Sequence, residues 1–432
     1  MTDASVVAAV RSVLTQPRVI TALTPAIIGT AILAFALRQL IGWPGLIAIL
    51  ATLAAIATLS IVAKWNDIEW RGILPVSLLV FLFWASISVF WSHYKWVTLG
   101  ALAYLFCFTI LGLYIALLRD TIQIVRAFGD VLRVILGVSI ALEVFSGVLI
   151  DAPIRFLGVL GRLDELGPIQ GLTGARNQLG ILAVIALITF ATEYRTRSVS
   201  TRISIGSLIL GAGTLLLTNS QLAIGAALAV VLAAAALYGL RRVQPQRARF
   251  WQIGLLAATA TAAIVAWAFR SVIITAADAS SELDYRLDIW RRAWDLTALY
   301  PLQGWGWIGT WREDIPPFVL FQFISERDES SASNALLDIW LQLGFVGLAI
   351  FIGLVGLAFV RSWLLASRRK SVVFAWPALV LLTLAVTALG ESSILWEFGW
   401  MAFVICSVKA AEQLSWRRAF NDRSGTASGR TA

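Results

Sequence analysis

The chain has 432 residues, of which 59% are hydrophobic and only 14% are charged. A soluble domain carries about 25% charged residues, so this composition excludes an ordinary water-soluble fold and points to an integral membrane protein. The formal net charge of +9 fits basic residues flanking membrane spans better than a nucleic-acid partner, and a single histidine, His93, excludes a histidine-rich metal site.

The first residues, MTDASVVAAVRSVLTQPR, hold no short apolar run with a cleavage site, so no signal peptide is expected. A membrane span needs about 20 apolar residues. Roughly twelve segments qualify: 19–37, 44–63, 73–90, 96–118, 128–150, 178–191, 203–217, 222–240, 250–269, 336–360, 372–389 and 394–408. Cys107 and Cys406 both fall inside apolar runs and read as small core residues rather than a disulfide or metal pair. The expected fold is therefore an all-α polytopic domain over 1–408.

Basic residues gather on alternate connections. Arg18, Lys64, Arg119, Arg126, Arg195, Arg197, Arg241 and Arg242 fall on one side, as do Arg368, Arg369 and Lys370. Their bias makes that side cytoplasmic, with both termini on it, in a multi-pass cytoplasmic-membrane protein. The tail, 409–432, is Gly/Ser/Thr-rich from Arg417 onward and is expected to be disordered.

The long polar connection between the ninth and tenth spans, about 270–334, then faces outward. It carries ten acidic residues between Asp278 and Glu329. From Ser280 the spacing of Leu283, Leu287, Trp290, Trp294 and Thr297 predicts an amphipathic helix along the membrane surface, stopped at Tyr300-Pro301. Arg286 lies about 60° from that stripe. It is placed either to reach a phosphate with its planar fork or to pair with Glu282 one turn earlier. Arg292 has Asp288 four residues before it. Ser331-Ala-Ser333-Asn334 opens the tenth span, where Asn334 is an N-cap. However, Asn334, Asp338 and Gln342 recur every four residues as a polar stripe on a helix entering lipid. Such groups face a bundle interior or a water-filled cavity, so Asp338 is a candidate site residue.

Three further polar marks fall at the same level. Arg176-Asn177 opens the sixth span after a glycine-rich stretch. Helix-start amides attract anions, and an interfacial snorkelling role is the alternative for Arg176. Glu391 lies in a short turn before the last span, where it could pair with an arginine, cap through Ser392 or act as a base. His93, between Trp91 and Trp96, reads as part of an aromatic interface belt.

In order, these pieces resemble the O-antigen ligase/polymerase superfamily, in particular its exopolysaccharide (ExoQ-like) branch. The matching residues are Trp91-Ser92 with Thr98, and Gly174-Ala-Arg176-Asn177-Gln-Leu-Gly180. They continue with Arg286-x-x-x-Trp290, Pro301-Leu-x-Gly304-x-Gly306, Asn334 with Gly344-x-x-Gly347, and Glu391-Ser392 with Trp400. The resemblance implies a twelve-span GT-C-type fold. It implies an inverting, metal-independent glycosyltransferase that takes glycan from undecaprenyl pyrophosphate and joins it to a glycan, lipid or protein acceptor outside the cytoplasmic membrane. Neither a nucleotide nor another cofactor is implied. Arg286 and Arg176 would hold the pyrophosphate, with Asn177 and Asn334 in the substrate site. Many members carry a histidine before the asparagine that matches Asn334; here Ser333 stands there. Ser333 at the family position is a poor base, so either Asp338, Glu391 or a loop acid would supply the base, or little base help is needed, or the activity is lost. A second departure is Asn219-Ser220-Gln221, where relatives often have an arginine. A polysaccharide-precursor flippase and a non-catalytic envelope scaffold are the rival readings.

Overall fold

The computed structural model describes residues 11–68, 75–162, 167–242, 250–254, 257, 261, 268, 280–321, 330–369 and 371–413. The expected ninth span at 250–269, part of the long connection and the tail beyond 413 lie largely outside these residues. Among the described residues the architecture is all helical, and the one strand-like pairing is an isolated bridge between Ile154 and Val159. Helices dominate because lipid offers no partner for a bare backbone amide or carbonyl, and a helix satisfies its own.

In chain order the elements are α1 (Pro17–Ile32), α2 (Ala34–Ala63), α3 (Val76–Ile87), α4 (Lys95–Leu118), α5 (Thr121–Val144) and α6 (Arg176–Thr196). They continue with α7 (Thr201–Leu217), α8 (Gln221–Leu240), α9 (Ser280–Thr297), α10 (Ala335–Arg368), α11 (Ala375–Thr387) and α12 (Glu397–Gln413). Among the described residues six helices are long and apolar enough to cross a membrane: α2, α4, α5 with its π-helical extension to Ile150, α6, α8 and α10. Shorter apolar helices, α1, α3 and α7 among them, lie between these.

Chain reversal places the starts of α6, α8, α10 and α12 at one end of the bundle, with the polar connection that follows α9. This end is called the loop end below, and the other the arginine-rich end. The first turn of the chain lies where hydropathy puts it. The break expected at 38–43 is made by Gly42, which adopts φ 70° and ψ 176° and divides the run Ala34–Ala63 into two legs. Arg11 Nε donates to the carbonyl of Ala63 at 3.1 Å, so α1 and α2 form a hairpin. A φ near +70° is strained for a residue with a Cβ, and Pro44 restarts the helix where its missing N–H costs nothing.

The core is not shared evenly. Every residue from 398 to 411 on α12 is buried, as is 72% of the most apolar window of α6, against 22% for α2 and α8. Apolar residues facing outward on α2 and α8, such as Leu59, Leu228 and Leu232, fit a hydrocarbon surround.

The polar connection folds on a small core of its own. Ile289 and Ala293 of α9 pack with Ile308, Trp311, Ile315, Phe318 and Phe321, over Leu337 and Leu341 of α10. This corrects the expected apolar stripe. Ile289, Ala293 and Thr297 are buried, whereas Trp294 is 57% exposed. The buried face therefore includes the position of Arg286 rather than passing beside it. The loudest residue of the pattern, Trp294, misled the reading; its ring meets Trp340 edge to face at 4.7 Å.

The loop is pinned at a break in α10. Gly344 there has φ 66° and ψ −174°. The opened backbone takes Phe345 N to Pro301 O at 2.8 Å, Trp305 N to Leu341 O at 3.0 Å and Gly306 N to Gln342 O at 2.8 Å. A Cβ on Gly344 would collide with the Leu302 carbonyl. The Gln342 side chain completes the seam, accepting from Ile308 N and Gly309 N at 3.0 Å each and donating to Gly309 O at 2.9 Å.

Candidate functional site

Five separate stretches bring polar side chains together at the loop end. Arg286 rises from the buried face of α9 and donates Nη1 to the carbonyl of Gly390. Its Nη2 lies 3.7 Å from Glu391 Oε1. The same carboxylate oxygen accepts from Asn177 Nδ2 at 2.7 Å. Asn177 Oδ1 in turn accepts from Ser220 Oγ at 2.7 Å, and Ser220 caps α8 by accepting from Ala223 N at 3.2 Å. One chain of contacts thus joins α9, the turn before α12, the start of α6 and the start of α8.

The turn that carries Glu391 is fixed on both sides. Gly390 N and Glu391 N donate to Thr387 O at 3.0 and 2.8 Å. A Cβ on Gly390 would stand 2.9 Å from Leu222 Cδ1 and 3.4 Å from Arg286 Nη1. Asn334 borders the turn: its Oδ1 accepts from Leu336 N at 3.0 Å and Leu337 N at 3.2 Å, capping α10. Its Nδ2 reaches Leu389 O at 3.4 Å, and Ala335 N donates to Ala388 O at 2.9 Å. The expected cap of α10 by Asn334 is present, and the same side chain borders the Glu391 turn.

Asp338 does face the bundle interior, fully buried. Its Oδ2 accepts from Ala332 N at 3.1 Å and from Ser392 Oγ. Its Oδ1 and the indole Nε1 of Trp311 are both buried without a close partner and lie near enough to interact with each other. Asp338 thus ties the loop, the Glu391 turn and α10 together from behind. Ser333 precedes the cap with φ 49°, a left-handed conformation uncommon for a residue with a side chain. Its amide donates to Ser331 Oγ at 3.2 Å.

Arg176 occupies the first position of α6, beside Asn177. The glycine-rich stretch before it is anchored by a residue that sequence reading passed over. Glu143, buried on α5, accepts from Gly161 N, Gln170 N and Gly171 N at 2.9 Å each. A lone acid in the apolar run VILGVSIALEVFSG was the available clue. Trp290 Nε1 bonds Ala332 O at 2.8 Å. Asp288 is taken by Arg291 at 3.1 Å rather than by Arg292, and the side chain of Glu282 lies outside the described residues. His93 packs with Tyr300 and Trp305 at 5.8 and 6.0 Å, and its Nε2 is 3.2 Å from the Tyr300 hydroxyl. It belongs to an aromatic cluster away from Glu391.

A helical bundle with membrane-length helices thus gathers an arginine, a carboxylate and two amides beside a folded loop. Residues 206–352 match the family model described as O-Antigen ligase. The match supports membership of the O-antigen ligase/polymerase superfamily and, at a coarse level, a membrane glycan ligase or polymerase. The match contains Arg286, Ser333, Asn334 and Asp338, while Arg176, Asn177 and Glu391 lie outside it. No curated protein matches the chain.

Proposed function

We propose that the protein transfers glycan from undecaprenyl pyrophosphate to an acceptor at the outer face of the cytoplasmic membrane, with inversion, in the manner of the ExoQ-like exopolysaccharide branch. The observation that carries the reading is the contact chain Arg286–Glu391–Asn177–Ser220, assembled from four distant parts of the chain at the loop end. In this reading the loop end faces outward, both termini are cytoplasmic, and about twelve spans form a GT-C-type fold.

Arg286 and Arg176 hold the pyrophosphate, whose negative charge grows as the glycosyl bond breaks; guanidinium groups placed there favour the transition state. The acceptor hydroxyl attacks the anomeric carbon, the bond to the pyrophosphate oxygen breaks, and undecaprenyl pyrophosphate leaves with the electron pair. Glu391 is the carboxylate placed to take the hydroxyl proton, since it is part-exposed and borders the arginine. Asp338 is sealed behind the turn, so its role is to position Ser392 and the loop. Asn177 and Asn334 set the walls, and Ser333 shapes the loop where relatives have histidine. No step is assigned to a metal or nucleotide.

The test is mass spectrometry of lipid-linked glycan in a deletion strain complemented with Arg286→Ala, Glu391→Gln or wild type at equal protein levels. Accumulated undecaprenyl-pyrophosphate glycan outside the membrane, with surface polymer reduced, is expected for both variants. Accumulation inside only would assign transport instead, and unchanged polymer would leave a scaffold.

A further inference from the structure

A second polar feature lies at the loop end, apart from the Arg286 cluster. A cavity of about 770 Å³ opens between α2, α4, the start of α12 and the loop segment 307–314. Its walls include Trp43, Trp96, Tyr104 and Trp396, together with an ion pair between Arg38 and Glu397. Arg38 Nη1 lies 3.3 Å from Glu397 Oε1, with side chains 25% and 17% exposed. Tyr104 donates its hydroxyl to the same oxygen at 2.8 Å, and Arg38 stacks 4.9 Å over the Trp43 ring. None of these residues takes part in the contacts that hold Glu391.

Two observations say that the pair is there for more than packing. An ionisable pair that faces into a membrane bundle, as Arg38 and Glu397 do in lining this cavity, is costly and marks a functional site. Glu397 is also held at φ 48°, a strained backbone for a non-glycine residue that persists only where its surroundings impose it. The next turn is correspondingly tight: a Cβ on Gly399 would collide with the Ser393 carbonyl. The chemistry of the walls selects the occupant. Aromatic faces cover the apolar C–H faces of a sugar ring, while a carboxylate, a guanidinium and a phenol exchange hydrogen bonds with its hydroxyls. An acyl chain would leave the ion pair without use.

We propose that this cavity is a saccharide subsite that holds the acceptor glycan. The assignment to the acceptor rests on the function proposed above; saccharide binding itself does not. The cavity is tied to the transfer site through its own wall. Trp311 lines it, and the same indole faces Asp338, which holds Ser392 beside Glu391.

The experiment is equilibrium binding to the full-length protein in lipid nanodiscs. The probe is a fluorophore-labelled oligosaccharide fraction released by mild acid from the producing cell's own surface polymer. Trp96, 86% exposed at the rim, can be removed without disturbing the fold, and Glu397→Gln keeps the shape of the wall. Saturable binding is expected, weakened about tenfold by Trp96→Ala, the factor that 1.4 kcal/mol gives, and at least as much by Glu397→Gln. Arg286→Ala should leave it unchanged. Absence of saturable binding overturns the subsite. So does binding that falls with Arg286→Ala and not with Trp96→Ala, which would place the sugar in the other cluster, and so does displacement of the probe by spin-labelled stearate, which would make the cavity an acyl slot. If Arg286→Ala still transfers glycan in cells while Trp96→Ala weakens binding, the proposed transfer function falls and the saccharide subsite stands.

Discussion

Two arginine–glutamate pairs lie at opposite ends of this bundle, and they are built differently. At the arginine-rich end Arg133 is enclosed by side chains. It bonds Glu193 through Nη2, Asp130 through Nη1 at 2.8 Å and Ser207 through Nε at 2.8 Å, and it stacks 5.1 Å over Phe190. Glu193 is fully buried against Gly129, where a Cβ would collide with its carboxylate. At the loop end Arg286 is anchored instead on a backbone carbonyl, that of Gly390, and its carboxylate stands 3.7 Å away, shared with an amide and 19% exposed. The first pair clamps α5, α6 and α7 together. The second is suspended on a short turn that leaves its carboxylate partly exposed. In the function proposed above, the same two residue types serve cohesion in one place and chemistry in the other, and the difference lies in what surrounds the carboxylate.

The sharpest way to break this contrast is to remove each carboxylate in turn. Glu193→Ala leaves Arg133 without its main partner in a largely buried position. Deleting one member of such a pair costs about 3–5 kcal/mol, so the purified protein should melt several degrees lower and accumulate poorly. A variant that melts like wild type would mean that the clamp is not what holds α5 to α6.

Arg286→Ala should do the reverse. Transfer measured on lipid-linked glycan should fall by about 10²–10³, the usual cost of losing one group that stabilises developing charge, with little change in melting temperature. Glu391→Gln should lower transfer while sparing the fold, because glutamine still accepts from Asn177. Equal losses of stability and transfer in Arg286→Ala would erase the distinction between the two ends.

Asp338 stands between the two kinds. Asp338→Ala should cost about 1–3 kcal/mol for each buried donor it strands, namely the Ser392 hydroxyl and the Ala332 amide, and should reduce transfer through the loosened turn. Asp338→Asn keeps an acceptor in place and should retain most activity. A dead but fully stable Asp338→Asn would instead make Asp338 the base.

These residues also show how far the sequence could be read. Apolar runs and alternating basic connections made the membrane bundle legible, because burial in lipid is a local property of each segment. The polar stripe placed Asp338 inside the bundle for the same reason. Side-chain partnerships were not legible. Glu391 meets Asn177 across 214 positions, and Arg38 meets Glu397 across 359, distances that no periodicity spans. One local break escaped the reading where a single glycine decides: Gly344 opens α10 to receive the loop, whereas the break at Gly42 was expected. On α9 a large tryptophan outweighed a small alanine in the pattern, although Ala293 is the residue that packs.

The smallest effect belongs to an exposed arginine–carboxylate pair, Arg312–Asp314, which is the control for these two. Arg312 binds Asp314 in a fork, at 2.9 Å through Nε and 2.7 Å through Nη2. Its guanidinium holds the Asp314 carboxyl below its ordinary value. A carboxyl lowered in this way adds stability above its unfolded value and loses it as pH falls through the folded one, so any contribution would vanish only in acid below the usual carboxylate range. Solvent screens this pair, and exposed pairs contribute little. Arg312→Ala should therefore leave the melting temperature unchanged from pH 8 down to pH 5, measured by thermal scanning in detergent. A clear drop would show that good fork geometry alone is stabilising here, and that the surroundings of the carboxylate are not what separates the two ends of the bundle.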